Sequence, residues 1–140
     1  MEPSFDPVHG ADGWQISNLP ILSLAPYLAS VELFDEVGME ALIEKRDKIT
    51  AYLEFILHEI DKEVKGSFEI ITPSNPEERA SQLSVLLHGE GRELFDYLMR
   101  KGVIIDWREP NVIRLAPVPL YCSFEDMYEF GQILKEGILQ

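Results

Sequence analysis

Across residues 39–64, apolar side chains recur at Leu42, Ile49, Leu53, Ile56 and Ile60, a spacing that lays them along one stripe of a long helix. Between them, Glu44, Lys45, Lys48, Glu59 and Lys62 form a solvated face and need no further role. A helix of that length must bury its stripe against a second layer. The C-terminal half of the chain supplies one. Gly66 stops the helix, and residues 68–72, 83–87 and 103–107, with a run around Arg114, read as short strands rich in β-branched and apolar residues. A polar loop at 73–78, a His88-Gly89-Glu90-Gly91 turn into a helix at 92–101 closed by Gly102, and a turn at Glu109-Pro110-Asn111 separate them. Ser123-Phe124-Glu125-Asp126 opens a last helix like a capping box, with Phe124, Met127, Tyr128, Leu134 and Ile138 on one face. The expected fold class is therefore α+β: a small, mainly antiparallel sheet with helices packed on one face.

Ahead of the long helix, residues 1–18 carry Pro3, Pro7, Gly10 and Gly13 without any sustained period and read as extended loop, although Trp14 and Ile16 are large apolar groups for such a setting. From Leu19 the pattern turns helical through Ile21, Leu24, Leu28, Val31 and Phe34 or Asp35. Pro20 suits a first turn behind Asn18 or Ser17 as cap, Pro26 should kink or delay the helix, and Gly38 is its stop.

At 140 residues, 46% hydrophobic and 26% charged, the chain has the make-up of one globular domain. A net charge of −13 argues against nucleic acid and against anionic membrane surfaces. No apolar run is long enough to span a bilayer, and the lone cysteine, Cys122, suits a reducing compartment, so the cytoplasm is the expected location. The three histidines, His9, His58 and His88, are scattered, which speaks against a zinc site. Ser17 lacks the glycines of a nucleophile elbow, and His88-Gly89-Glu90-Gly91 lacks the spacing of a phosphate loop. No complete catalytic constellation emerges.

Two residues stand out. Arg114 lies in an apolar strand, Val112-Ile113-Arg114-Leu115, followed at once by the stiff Ala116-Pro117-Val118-Pro119 exit. A guanidinium there needs an anion. One of the 25 acidic side chains could provide it as an internal salt bridge, or the planar fork could grip a ligand carboxylate. Asn18, between the Gly13-Trp14 loop and the proline-opened helix, is either an N-cap or a site residue.

Read together, Gly10-Ala11-Asp12-Gly13-Trp14-Gln15-Ile16-Ser17-Asn18-Leu19-Pro20 and Arg114-Leu115-Ala116-Pro117-Val118-Pro119-Leu120-Tyr121 resemble kynureninases. The likeness continues through Ala29-Ser30-Val31-Glu32-Leu33-Phe34, Glu40-Ala41-Leu42, Gln82-Leu83-Ser84 and Ser123-Phe124. It implies the C-terminal small domain of an aspartate-aminotransferase-like fold over residues 19–140, joined through residues 1–18 to a large domain. It also implies a homodimeric enzyme that uses pyridoxal 5'-phosphate to hydrolyse L-kynurenine, or 3-hydroxykynurenine, to anthranilate, or 3-hydroxyanthranilate, and L-alanine, in tryptophan breakdown and NAD formation. By the same resemblance, Arg114 is the substrate α-carboxylate ligand, and Asn18 lines the site near cofactor and substrate. Ser17 is at most a secondary contact, and Trp107 and Arg108 brace the Arg114 strand. The family's cofactor lysine motif is not among Lys45, Lys48, Lys62, Lys65, Lys101 and Lys135, so this piece is expected to be inactive alone. The competing class is a non-catalytic amino-acid-binding module. The small domain of a cysteine desulfurase or aminotransferase is nearer in fold but lacks the Ser-Asn-Leu-Pro and Ala-Pro-Val-Pro-Leu-Tyr wording.

Overall fold

The computed structural model describes residues 8–15 and 17–140. Residues 1–7 and Ile16, part of the stretch expected to be loop, lie outside the described residues. The chain divides into two compact units, Met1–Met39 and Glu40–Gln140.

In the first unit the expected loop contains one short helical turn, Ala11–Trp14, and α1 runs Ile21–Val37. Pro20 itself occupies the cap position, where its carbonyl accepts from the Leu24 amide at 3.0 Å, and no side chain caps the helix. Neither Asn18 nor Ser17 therefore plays the capping role expected of it. Pro26 lies inside α1 without ending it, at the cost of the bond its missing amide would make to Leu22. Gly38 closes the helix with φ of 79°, a backbone state that glycine adopts freely. The apolar residues at helical spacing form no buried stripe, because α1 has no buried residue. Its sequence is apolar on every side, with Leu22, Tyr27 and Leu33 flanking the stripe, so periodicity marks no inner face.

The second unit starts from α2 (Met39–Glu63), which buries Leu42, Ile49, Thr50, Leu53, Leu57 and Ile60. Leu57 joins the expected stripe, and Ile56 is only half-buried at its edge. The sheet comes next: β1 (Phe68–Ile70), β2 (Leu83–Leu87), β3 (Asp106–Arg108) and β4 (Val112–Leu115), wholly antiparallel in the order β1-β2-β4-β3. β3 is shorter than expected. The Val103 amide bonds to the Leu98 carbonyl at 3.0 Å, which draws residues 103–105 toward the end of the preceding helix and away from the ladder. That helix, α3 (Gly91–Arg100), and α4 (Phe124–Ile138) complete the unit.

Strand alternation separates the two faces of the sheet. Leu83, Val85, Leu87, Ile113 and Leu115 point into the core, where they meet Ile49, Leu53 and Leu57 of α2, Leu98 of α3, and Phe130 and Leu134 of α4. Burying each large aliphatic group contributes about 1.5–3 kcal/mol. Ser84, Arg114 and Asp106 share the opposite face. The α+β expectation holds. On α4, however, the buried face is Met127, Phe130, Gly131 and Leu134, while Phe124 and Tyr128 stay exposed. Phe124, in the first turn, instead meets the Tyr52 ring edge-on at 5.8 Å.

Candidate functional site

β4 carries Arg114 between the inward-facing Ile113 and Leu115, so its side chain emerges on the outer face of the sheet. Register places Ser84 of β2 on one side and Asp106 of β3 on the other. Arg114 Nε donates to Asp106 Oδ2 at 2.5 Å, and Nη2 lies against the same oxygen. Arg108, two residues along β3 and on the same face, donates its Nε to that oxygen at 2.9 Å. One carboxylate thus joins two guanidiniums, and the cluster carries one excess positive charge. Desolvation works against the Asp106 charge. The hydrogen bond from Arg114 and the charges of both arginines outweigh it, holding this carboxyl below the usual aspartate range.

Of the two readings of Arg114, the internal salt bridge is present. It does not consume the group: the Arg114 side chain keeps about a third of its surface exposed (32%), and among the described residues its Nη1 has no partner. The bracing expected of Trp107 and Arg108 is also present. Trp107 pairs with Ile113 on the core side, its ring 5.5 Å from that of Phe95, and its Nε1 donates to Glu109 at 2.9 Å. A turn with a cis Glu109–Pro110 bond connects β3 to β4. Beyond β4, Lys45 Nζ donates to the Pro119 carbonyl at 2.6 Å, tying the proline-rich exit to α2. The Val118 amide donates to Cys122 Sγ at 3.3 Å, so that thiol serves the turn.

Asn18 is exposed in the first unit, next to Ser17, whose carbonyl accepts from Gln15 Nε2 at 3.1 Å. Each unit is a frame of its own, and Asn18 and Arg114 belong to different ones.

Two clefts open in the second unit. The first, about 370 Å³, is mainly apolar, with Val103, Ile105, Cys122 and Phe130 in its wall and Lys101, Asp126 and Glu129 among the polar groups. The second, about 410 Å³, is more polar and includes His88, Glu90, Tyr97 and Arg100. Arg114 lines neither. Among the described residues no group of histidine, cysteine or carboxylate side chains could hold a metal, and no helix is long and apolar enough to cross a membrane.

Pyridoxal phosphate needs an amine for its aldehyde and donors for its phosphate. Lys48, Lys62, Lys101 and Lys135 pair with Glu44, Glu59, Glu136 and Glu63, Lys45 is spent on Pro119, and Lys65 is exposed. Of these, Lys101 lines the first cleft, where Asp126 and Glu129 would repel a phosphate. The residues present do not fit that cofactor by themselves.

The most buried ion pair among the described residues has no signal in the sequence. Arg79, in the loop before β2, donates to Glu54 of α2 at 2.8 Å and to the Pro73 carbonyl at 3.2 Å, with only 6% of its side chain exposed. It locks a loop onto a helix. No motif announces it, because the partners lie 25 positions apart.

Among known proteins, the model of the family described as "Kynureninase C-terminal domain" matches residues 45–134. A kynureninase of Flavobacterium johnsoniae is 86% identical over 139 residues, 99% of this chain and 33% of the relative. One from Christiangramia forsetii is 77% identical over 99% of the chain and 33% of its own length. A kynureninase of Koribacter versatilis is 48% identical over 94% of the chain and 30% of its own length. The chain thus spans about a third of the length of the relatives it matches.

Proposed function

Because the chain belongs to the family of kynureninase C-terminal domains, we propose that it is the C-terminal part of an enzyme that hydrolyses L-kynurenine, or its 3-hydroxy relative, to the anthranilate and L-alanine. The observation that carries this reading is the family match across residues 45–134, which takes in α3, the whole sheet with Arg114 on it, and most of α4. In this reading Arg114 binds the α-carboxylate of the substrate and Asn18 contacts substrate and cofactor. Residues 1–18 connect from a large domain, and residues 19–140 are the small domain. Pyridoxal 5'-phosphate, which supplies the electron sink when bound, is carried mainly by that large domain, and the enzyme works as a cytoplasmic homodimer.

What this domain adds is orientation. A carboxylate held by two parallel hydrogen bonds fixes the rotation of the amino acid about Cα, and such positioning changes rates by orders of magnitude. The uncovered face around Arg114 supports this role, because a substrate needs access to the guanidinium from the side away from the core.

The test measures anthranilate fluorescence with L-kynurenine and pyridoxal phosphate. The longer protein carrying this chain is expected to form anthranilate, and the 140-residue chain alone to form none. A longer protein that binds amino acids but releases no anthranilate would replace the enzyme reading with that of a binding module.

A further inference from the structure

A guanidinium has five N–H donors spread over three edges. In Arg114 the Nε–Nη2 edge is taken by Asp106, and among the described residues Nη1 has no partner. The edge that remains, Nη1 with the second hydrogen of Nη2, matches a carboxylate in the end-on, two-bond arrangement. The clamp is itself held from behind, because Arg108 donates to the same Asp106 oxygen at 2.9 Å and β3 fixes both residues through the ladder with β4. The long, flexible arginine therefore has its direction set before any ligand arrives. Its excess charge survives, since two cations share one anion.

We propose that Asp106 is a positioning residue for the amino-acid substrate: it grips Arg114 by one edge and thereby presents the other to the α-carboxylate. The proposal rests on the reading of Arg114 given above. Its logic is preorganisation. Without Asp106 the guanidinium keeps its charge but samples several rotamers, and each binding event has to freeze them. Affinity for the carboxylate falls as a result, while the chemistry at the far end of the substrate is little changed.

The experiment uses the longer enzyme carrying this chain, with steady-state kinetics on L-kynurenine and a calorimetric Kd for L-alanine, which also bears the α-carboxylate. Asp106→Asn is expected to raise KM and the L-alanine Kd together by about tenfold, with kcat within about twofold of the parent. Asp106→Glu should recover part of the loss. In the double variant with Arg114→Lys, the two effects should not add, because Asp106 acts only through Arg114. Should Asp106→Asn melt early, Arg108→Gln carries the same test, since it removes the rear tether and should raise KM in the same direction but less. If Arg114→Lys raises KM while Asp106→Asn and Arg108→Gln leave it unmoved, the positioning role is refuted and the reading of Arg114 stands. An unchanged KM in Arg114→Lys removes both. Strict additivity in the double variant would also refute the proposal, because it would make Asp106 a stabilising residue with no path through Arg114.

Discussion

Glu54 and Arg79 form the most buried ion pair among the described residues, with 18% and 6% of their side chains exposed. Removing one partner strands the other's charge, so Arg79→Met should cost about 2–3 kcal/mol, read from urea unfolding at pH 7. The hydrogen bond from Arg79 holds the Glu54 carboxyl below the usual glutamate range, against the opposing pull of burial. A depressed carboxylate stabilises the fold fully above its unfolded pKa of about 4.3, and the contribution is lost as pH falls through the lower folded value. The gap between parent and Arg79→Met should therefore shrink toward pH 3, and a gap of constant size would refute this account. Asp106 and Asp126 are shifted in the same direction, so their contributions are also lost in acid, starting from the lower unfolded aspartate value of about 3.9. Arg114 was conspicuous in the sequence because a charge interrupts an apolar strand. Its partner was not, because the choice of Asp106 depends on the antiparallel register across the β3–β4 turn. Among 25 acidic residues, that register is what selects one.

Among the elements, α4 is the most explicit in the sequence. Ser123 Oγ accepts from the Asp126 amide at 3.1 Å, and Asp126 accepts from the Ser123 amide at 2.6 Å, which completes the capping box read from spacing. Ser123→Ala should lower stability by about 1 kcal/mol, measured as a fall in Tm with the secondary structure retained. Gly137 of the same helix is silent in the sequence but fixed by packing, because a Cβ there would come within 2.7 Å of both Leu94 and the Tyr97 ring of α3. Gly137→Ala should therefore be destabilising by about 1 kcal/mol, since overpacking exceeds the gain in helix propensity. An increase in Tm would show that the two helices can part at no cost. β2 was legible at both ends because its residues alternate cleanly between core and outer face. β3 was overextended, since Val103 and Ile105 are as apolar as strand residues but line a cleft wall. The stripe of α2 could be counted from its period, whereas α1, apolar all round, gave a helix without an inside.

For the molecule as a whole, the core cluster runs through α2, the sheet, α3 and α4, and among the described residues none of its members precedes Ile49. The buried Leu42 lies just ahead of it on the same helix. A chain starting at Glu40 should therefore keep its cooperative unfolding, with a Tm within a few degrees of the 140-residue chain. The same cut should remove most of the binding of an apolar fluorescent dye, because Trp14, Ile21, Leu22 and Tyr27 are all more than half exposed. Loss of cooperativity on truncation would mean that α1 contributes to the fold of the second unit. Legibility was greatest where one pattern had one solution, as in α2, β2 and the α4 cap. It was least where a side chain's role depends on what lies across the ladder. β4 shows how closely those two demands are fused, since Ile113 and Leu115 fill the interior while Arg114, between them, faces out. Slipping β4 by one residue against β2 and β3 would swap the two populations, driving a cation inward and greasing the outside. A longer 109–111 turn therefore has to be absorbed within the turn itself, leaving the strand where its neighbours on both sides hold it.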